Sequence, residues 1–186
     1  CKTISDAPAQ GICGSGLVDL LAELRRNGVM TPKGVFSGKV RELTIEPERG
    51  ITFSRDDVSV LAQAKAANTC GQYIVMRHYG IQPQDITRLY LAGGFANYVN
   101  VSNAIEIGFL PPIPEDRVVK IGNAALQGAR EYLASRGRRA SAEKLLANIQ
   151  HVELETTPDF FEIFVEACQI KPMPPLRPDL RISKRN

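Results

Sequence analysis

The first amphipathic segment of the chain follows a cluster of three glycines. Residues 10–17 read QGICGSGL, and the apolar residues after them recur at helical spacing up to Gly28, which stands where a helix C-cap belongs. The pattern predicts a helix that starts near Ser15, whose hydroxyl can cap it. The glycines suit a tight turn, and they equally suit an anion site, because a helix N-terminus presents unpaired N–H groups.

The middle of the chain alternates strand and helix patterns. Two β-rich runs around a Pro/Gly turn in residues 38–54 predict a hairpin. Ser54 and Asp57 then form a capping box, with Asp in the place of Glu, for one long helix that ends at Gly80. The alanines of this helix leave a low-profile stretch that suits close helix packing or a flat ligand: Ala62, Ala64, Ala66 and Ala67.

Two short apolar runs lead directly into glycines. One predicted strand ends at Ala92 before Gly93, and another ends at Ile121 before Gly122. Open α/β sheets bind ligands at the carboxyl ends of their strands. We therefore expect both strands in one sheet, with both glycines at one edge, facing the turn at residues 14–16 across an open groove.

The remaining periodic segments are mostly helical. Residues 101–112 predict a short helix from Ser102 that stops before a proline pair, and a helix is expected from Asn123. Residues 141–168 predict a helix, a strand and a second helix, with Pro158 at the start of the last one. The whole pattern is that of an α/β domain.

Composition describes an ordinary soluble globular chain. It has 186 residues, of which 44% are apolar and 23% charged, so one domain is the default. No apolar run approaches the roughly 20 residues of a membrane span, and the start has no signal-peptide pattern. We expect a cytoplasmic protein without a membrane partner. Because the chain does not begin with Met, we also expect it to be a C-terminal piece of a longer protein.

Cysteine and histidine usage gives no support for a metal site. The cysteines are far apart and match no zinc or ferredoxin spacing, so we interpret them as free thiols in a reducing cytosol. Any iron–sulfur centre is therefore expected outside this chain. The residues concerned are Cys1, Cys13, Cys70, Cys168, His78 and His151.

The net charge of +3 comes from one end of the chain. Residues 171–186 carry five of the 23 basic residues and one of the 20 acidic ones, which leaves the body nearly neutral. A nucleic-acid partner is not expected, because that requires a basic face rather than a basic end. We predict a domain portion over residues 1–173 and a Pro-rich basic tail over residues 174–186 that is extended or disordered.

The glycine cluster at residues 11–16 and the two strands that lead into glycine, together called the glycine steps, match neither the GxGxxG fingerprint nor the P-loop pattern. They resemble instead the second half of the actin-like (ASKHA) ATPase superfamily, which includes sugar kinases, Hsp70 chaperones and actin. The resemblance implies the C-terminal lobe of a ribonuclease-H-like fold that binds ATP with Mg between two lobes. The catalytic and Mg-binding residues are then expected in the other lobe, and Asp19 and Glu23 are interpreted as solvated or helix-pairing residues.

The same resemblance assigns binding roles to individual residues. The first glycine turn is expected to face the phosphates and LAGGFANY the adenosine, with Phe95 and Asn97 as flanking residues. The alanine-rich helix implies an adenine wall with two polar candidates, of which at most one can point into the pocket because they lie two positions apart. The expected cofactor-binding set is Gly14, Ser15, Gly16, Gln63, Lys65, Gly93, Gly94 and Asn97.

A closer resemblance rests on six motifs in order: GICGSGLVDLLAELRRNGVM, AQAKAA, LYLAGGFANY, IGFLPP, GNAALQGA and PDFFEIFVEA. Over residues 3–173 the chain resembles the C-terminal ATPase domain of the reductive activators of corrinoid-dependent methyltransferases. This implies an ATP-dependent activator that returns cobalt(II) corrinoid proteins to cobalt(I), with electrons from an iron–sulfur domain outside this chain. A corrinoid protein is the implied partner, a homodimer is allowed, and the fragment alone is expected to be inactive.

Three alternatives stay open at this point. An actin-like activator of a radical dehydratase would share the glycine steps, and a cluster-bridging cysteine would favour it. Cys13 precedes Gly14, but a lone cysteine is weak evidence. A small-molecule kinase of the superfamily would transfer phosphate to a metabolite. A noncatalytic interaction module would have lost nucleotide binding.

Overall fold

The first helix starts at the glycine cluster, and its cap differs from the predicted one. A computed structural model describes residue 3 and residues 7–177. In it, α1 (Gly14–Arg26) has Cys13 as its N-cap, and the Cys13 Sγ accepts a hydrogen bond from the Gly16 amide at 3.4 Å. The prediction of Ser15 as the cap is wrong, because Ser15 lies inside the first turn. Gly28 follows the C-cap with φ of +67°, as predicted for the end of this helix.

The hairpin and the long helix after it form as predicted. Strands β1 (Glu42–Glu46) and β2 (Ile51–Ser54) pair antiparallel. Helix α2 (Arg55–Tyr79) begins with the Ser54–Asp57 capping box. It ends at Gly80, whose φ of +66° is the left-handed conformation that favours glycine.

The two glycine-terminated strands lie in one sheet. β3 (Leu89–Leu91) and β4 (Val118–Lys120) pair in parallel, with Tyr90 opposite Val119. Between them stand α3 (Gly94–Tyr98), which the sequence pattern did not indicate, and α4 (Val101–Glu106). α4 begins one residue before the predicted Ser102 because the Asn100 side chain caps it, accepting from the Asn103 amide at 3.0 Å.

From residue 121 to residue 177, the last residue that the structure describes, the chain forms three α-helices and no strand. They are α5 (Ala124–Ala134), α6 (Arg136–Leu146) and α7 (Phe160–Ala167). The strand predicted after α6 is wrong: the segment contains a 3₁₀ turn at Leu154–Thr156 and pairs with no strand among the residues that the structure describes. A strand needs a partner for its backbone groups, and this segment instead turns so that Leu154 packs against α2 and α7.

Two clusters of buried side chains hold these elements together. The first joins α1, the hairpin, the start of α2 and α4, and the second joins the C-terminal half of α2 to α7 and to the residues after it. The second cluster contains Cys70, Tyr73, Ile74, Met76, Ile163, Met173 and Leu176. Neither α5 nor α6 contributes a buried residue. The start of the predicted tail is not disordered: Leu176 is buried in the second cluster, and the Arg177 amide donates to the Tyr73 hydroxyl of α2 at 2.9 Å. Residues 178–186 lie outside the described residues, so their disorder stays a prediction.

The cysteines and the helix lengths can be described directly. Cys13, Cys70 and Cys168 are free thiols, and Cys1 lies outside the described residues. In the part of the chain that the structure describes, every helix is too short or too polar to cross a bilayer.

Candidate functional site

The carboxyl ends of β3 and β4 meet at a strip of glycine backbone. The Gly93 amide donates to the Gly122 carbonyl at 2.7 Å, and the Ile121 amide donates to the Leu91 carbonyl at 2.9 Å. The prediction that Gly93 and Gly122 share one edge of a sheet is therefore confirmed. We call the strip formed by Gly93, Gly94 and Gly122 the glycine edge.

The glycine edge is open on its outer side. A Cβ placed on Gly93, Gly94 or Gly122 would meet no atom within 4 Å. Gly93 and Gly122 also have positive φ angles of +99° and +64°, which residues with a side chain rarely adopt. A ligand could therefore approach the backbone there without displacing protein atoms, as a flat nucleoside requires. The residues present therefore fit the nucleotide that the family resemblance implies.

The first turn of α1 lies beside the glycine edge. Gly14 is exposed, and the Phe95 ring lies beside it. A Cβ placed on Gly14 would lie 3.2 Å from Cε2 and 3.3 Å from Cδ2 of Phe95. The Phe95 ring thus lies against this turn, and the open groove expected between the turn and the glycine edge stays a prediction. A Cβ on Gly16 would lie 3.2 Å from Ile12 Cγ2. A side chain at position 16 would therefore crowd Ile12, which belongs to the same turn.

Cys13 shows that the start of α1 favours negative charge. Its pKa is lowered, first by the hydrogen bond with the Ser15 hydroxyl, 3.3 Å away, and then by the Gly16 amide. The Gly16 amide is one of the free N–H groups of the helix N-terminus, and such groups stabilise a thiolate and a phosphate in the same way, here together with a side-chain hydroxyl. The sequence preferences for N-caps do not include cysteine, so the spacing of the glycines was the only signal for this position.

The two polar candidates on α2 point in different directions, as their spacing predicts. Gln63 is exposed, and Lys65 is buried with its ammonium donating to the Gln169 carbonyl at 2.7 Å. Burial lowers the pKa of Lys65 to about 8. Its ammonium group is engaged with the C-terminal segment inside the protein. Its predicted nucleotide contact stays a prediction that this placement does not favour.

Other residues of α2 connect it to the glycine edge. Asn68 Nδ2 and Gln72 Nε2 donate to the Phe109 carbonyl at 2.8 and 3.1 Å. The Phe109 ring in turn packs edge to face against Phe95, with ring centroids 5.8 Å apart. Sequence reasoning missed these residues because the contacts join positions far apart in the chain, and their only local signal is the i, i+4 spacing of two amides.

The remaining predicted residues have definite partners. Asn97 is exposed, and its carbonyl, like that of Val99, accepts a hydrogen bond from Lys120 Nζ, at 3.2 and 2.7 Å respectively. Lys120 thereby fastens α3 to β4. Asp19 accepts from Asn103 of α4 at 2.8 Å, and Glu23 pairs with Arg26, so the helix-pairing interpretation of both carboxylates is confirmed.

Grouped metal ligands are absent from the region that the structure covers. Within residue 3 and residues 7–177, no three His, Cys, Asp or Glu side chains come together in a way that could hold a metal ion. The site therefore offers backbone amides, an open strip of glycine and an aromatic ring. Such groups can hold an anion and a flat ring system.

The chain is similar to known proteins over most of its length. Residues 1–177 match the model of a protein family described as the C-terminal domain of RACo, the ASKHA domain. The chain is 32% identical to the corrinoid activation enzyme RamQ of Eubacterium limosum, over 88% of this chain and 32% of RamQ. It is also similar to the solved structure of a reductive activator for corrinoid, iron-sulfur protein, with a TM-score of 0.81 and 32% identity over 93% of this chain and 30% of that one.

These matches settle the class of fold and leave most of each relative unmatched. The chain spans about a third of the length of the relatives to which it is similar. The predicted α/β, ribonuclease-H-like fold of the actin-like superfamily is confirmed over the matched region. The chain belongs to the family defined by the C-terminal ASKHA domain of RACo.

Proposed function

We propose that this chain is the C-terminal, nucleotide-binding part of an ATP-dependent reductive activator of corrinoid proteins. The activator returns cobalt(II) to the cobalt(I) state that accepts methyl groups, by adding one electron. Family membership supports this proposal, as do the names of two relatives that refer to corrinoid activation. The free thiols of the described residues are compatible with a reducing cytosol.

The convergence of the glycine turns carries the ATP part of the proposal. Gly14 and Ser15 lie at a helix start that favours negative charge, and the Phe95 ring beside Gly14 belongs to the residue that directly follows Gly94 of the glycine edge. In our proposal the first turn of α1 receives the phosphates, while Gly93 and Gly94 approach the adenosine. Gly16 shapes the turn, and Asn97 and Gln63 are exposed side chains that we keep as proposed ligand contacts.

The electron comes from an iron–sulfur domain in a part of the protein outside this chain. The relatives are about three times as long as the matched region, which leaves room for such a domain and for the other half of an ATP cleft. Cobalt(I) lies at very low potential, so the transfer is uphill. ATP binding or hydrolysis can drive it by closing the two lobes, a two-state change that nucleotide biases.

The decisive experiment uses the complete polypeptide that contains this chain. With a reductant and ATP, it should convert a cobalt(II) corrinoid protein to cobalt(I), followed by the absorption spectrum of the corrinoid. Removing residues 1–186 should abolish the dependence on ATP and leave the cluster reducible. Equal activation with and without ATP would overturn the proposal, and ATP-dependent phosphate transfer to a metabolite would replace it with the kinase alternative.

One substitution tests the glycine edge directly. Gly94→Val adds bulk that meets no protein atom, so it should weaken ATP binding while the fold stays intact. Gly128→Val is the matched control, because Gly128 lies on α5 in equally open space away from the glycine edge. Affinities measured by calorimetry should fall for the first variant alone. Equal affinities for both variants would exclude Gly94 as a nucleotide contact.

A further inference from the structure

An aromatic ring occupies the space beside the first glycine turn. Phe95 is the second residue of α3, and 43% of it is exposed. Two of its ring atoms lie so near Gly14 that a Cβ there would be 3.2 to 3.3 Å away, shorter than the ordinary 3.5 to 4.0 Å between carbons. Gly14 thus leaves the room that the Phe95 ring requires.

The Phe95 ring also contacts a second aromatic ring. Phe109 meets it edge to face, at 5.8 Å between centroids and 65° between planes. The Phe109 carbonyl is held by Asn68 and Gln72 of α2, and the Phe109 amide donates to the Ala104 carbonyl of α4 at 2.8 Å. The ring pair is therefore anchored on two helices.

Phe95 also belongs to the turn that forms the glycine edge. It follows Gly94 directly, and the Gly93 amide donates a 2.7 Å hydrogen bond to the carbonyl of Gly122, two residues after the end of β4. The ring thus connects a turn anchored on the sheet with a turn anchored on α1. A shift of either turn would press on the ring or leave a gap beside it.

We propose that Phe95 is a positioning residue that sets the spacing between the α1 turn and the glycine edge. The inference rests on the proposed function, since the spacing matters because the phosphates and the adenosine of one ATP must reach both turns. Phe95 acts through these turns, and Gly14 is the residue through which the ring contacts α1.

The first test is ATP affinity of the complete polypeptide with and without the ring. Phe95→Ala should weaken ATP binding about two- to tenfold, the range expected when one aromatic contact is lost. Phe95→Tyr keeps the Cδ2 and Cε2 edge that faces Gly14 and should restore the affinity. Thermal unfolding of each variant, without ATP, reports the structural effect separately.

The second test is a double-mutant cycle with Gly14→Ala. The added methyl group should weaken ATP binding when Phe95 is present, because it pushes the ring away. In the Phe95→Ala background the same methyl group should have a clearly smaller effect, since the ring is gone. Gly128→Ala is the control, because its new Cβ meets nothing within 4 Å.

Each outcome decides the proposal. Additive effects of Gly14→Ala and Phe95→Ala on ATP affinity would overturn it, as would a lower melting temperature with unchanged affinity. These results would leave ATP binding by the wild type, and so the proposed function, intact. A wild-type polypeptide that binds no ATP would overturn both.

Discussion

Lys65 is a charged residue in the interior with one backbone partner. Its ammonium donates to the Gln169 carbonyl, and only 4% of the residue is exposed. Burial lowers its pKa from the ordinary 10.5 to about 8. The unfolded chain therefore binds this proton more tightly than the folded one. Stability should rise with pH between about 8 and 10.5, and the full penalty of burial is present below pH 8.

Lys65→Met should remove this pH dependence. Between pH 7 and pH 9.5 the wild type should gain about 2 kcal/mol from Lys65, a gain that the variant lacks. Urea unfolding at both pH values measures the difference. Lys33→Met, at an exposed lysine, serves as the control and should keep the gain. If Lys65→Met shows the same increase as the wild type, the ammonium is not desolvated in the folded protein.

The residues of the candidate site show what sequence reasoning can and cannot reach. The glycines at positions 14, 93 and 94 could be proposed from sequence because glycine at the junction of a strand or loop with a helix is a local signal, and their contact with nucleotide stays a prediction. The cap at Cys13 was missed because cap preferences favour Ser, and the Ser15 hydroxyl instead interacts with the thiol. Phe95 was predicted only as a flanking residue, since its contacts with Gly14 and Phe109 depend on the fold.

Among the elements, α2 and α7 are joined by a buried ion pair. Arg77 donates two hydrogen bonds to Asp159, both at 2.7 Å, with only 5% and 11% of the two side chains exposed. Asp159 stands at the N-cap of α7, yet its carboxylate is directed to Arg77 and caps no amide. Arg77 lowers the pKa of this carboxyl, so the pair is intact at neutral pH and is lost as the pH falls through that pKa.

Asp159→Asn should destabilise the fold by about 3 to 5 kcal/mol, because it leaves the Arg77 charge buried without a counter-ion. The exposed pair of Glu131 and Arg138 provides the comparison, and Glu131→Gln should change stability by less than about 1 kcal/mol. Urea unfolding at pH 7 measures both variants. Similar losses for the two would mean that the buried pair contributes no more than a surface one.

Elements with local signals were predictable and those with distant partners were not. The capping box of α2 lies within residues 54–57, and the opposite end of the helix is marked by the single residue Gly80, so each signal is local and both were predicted. The strand expected around residue 153 had the right residue types but finds no neighbouring strand among the described residues. Helix α3 has only five residues, which is too short for a periodic pattern to indicate it, and its position depends on the glycine edge.

At the scale of the whole molecule, α5 and α6 present an apolar surface to solvent. Five large aliphatic residues in or just after these helices are between 58% and 78% exposed, and the helices bury none of their residues: Leu126, Leu133, Leu145, Leu146 and Ile149. The parallel pair β3–β4 is also exposed at Tyr90, although parallel sheets are normally covered on both faces. Apolar surface of this kind marks contact sites or promotes association.

We therefore expect the 186-residue chain, when produced alone, to self-associate as its concentration rises. Leu133→Glu combined with Leu146→Glu should reduce this association in sedimentation velocity without loss of helix content, because both side chains are exposed and Glu is a good helix former. Val60→Glu, at an equally exposed position on α2, is the control and should leave association unchanged.

In the complete polypeptide, the same pair of substitutions should lower the melting temperature. If other parts of the protein cover the α5–α6 surface, two glutamates placed in that contact lose their hydration and lower the melting temperature. In the isolated chain they should leave it almost unchanged. An isolated chain that is monomeric at every concentration would contradict the expected self-association, whereas a complete polypeptide that tolerates both glutamates would show that this surface faces solvent in the working protein.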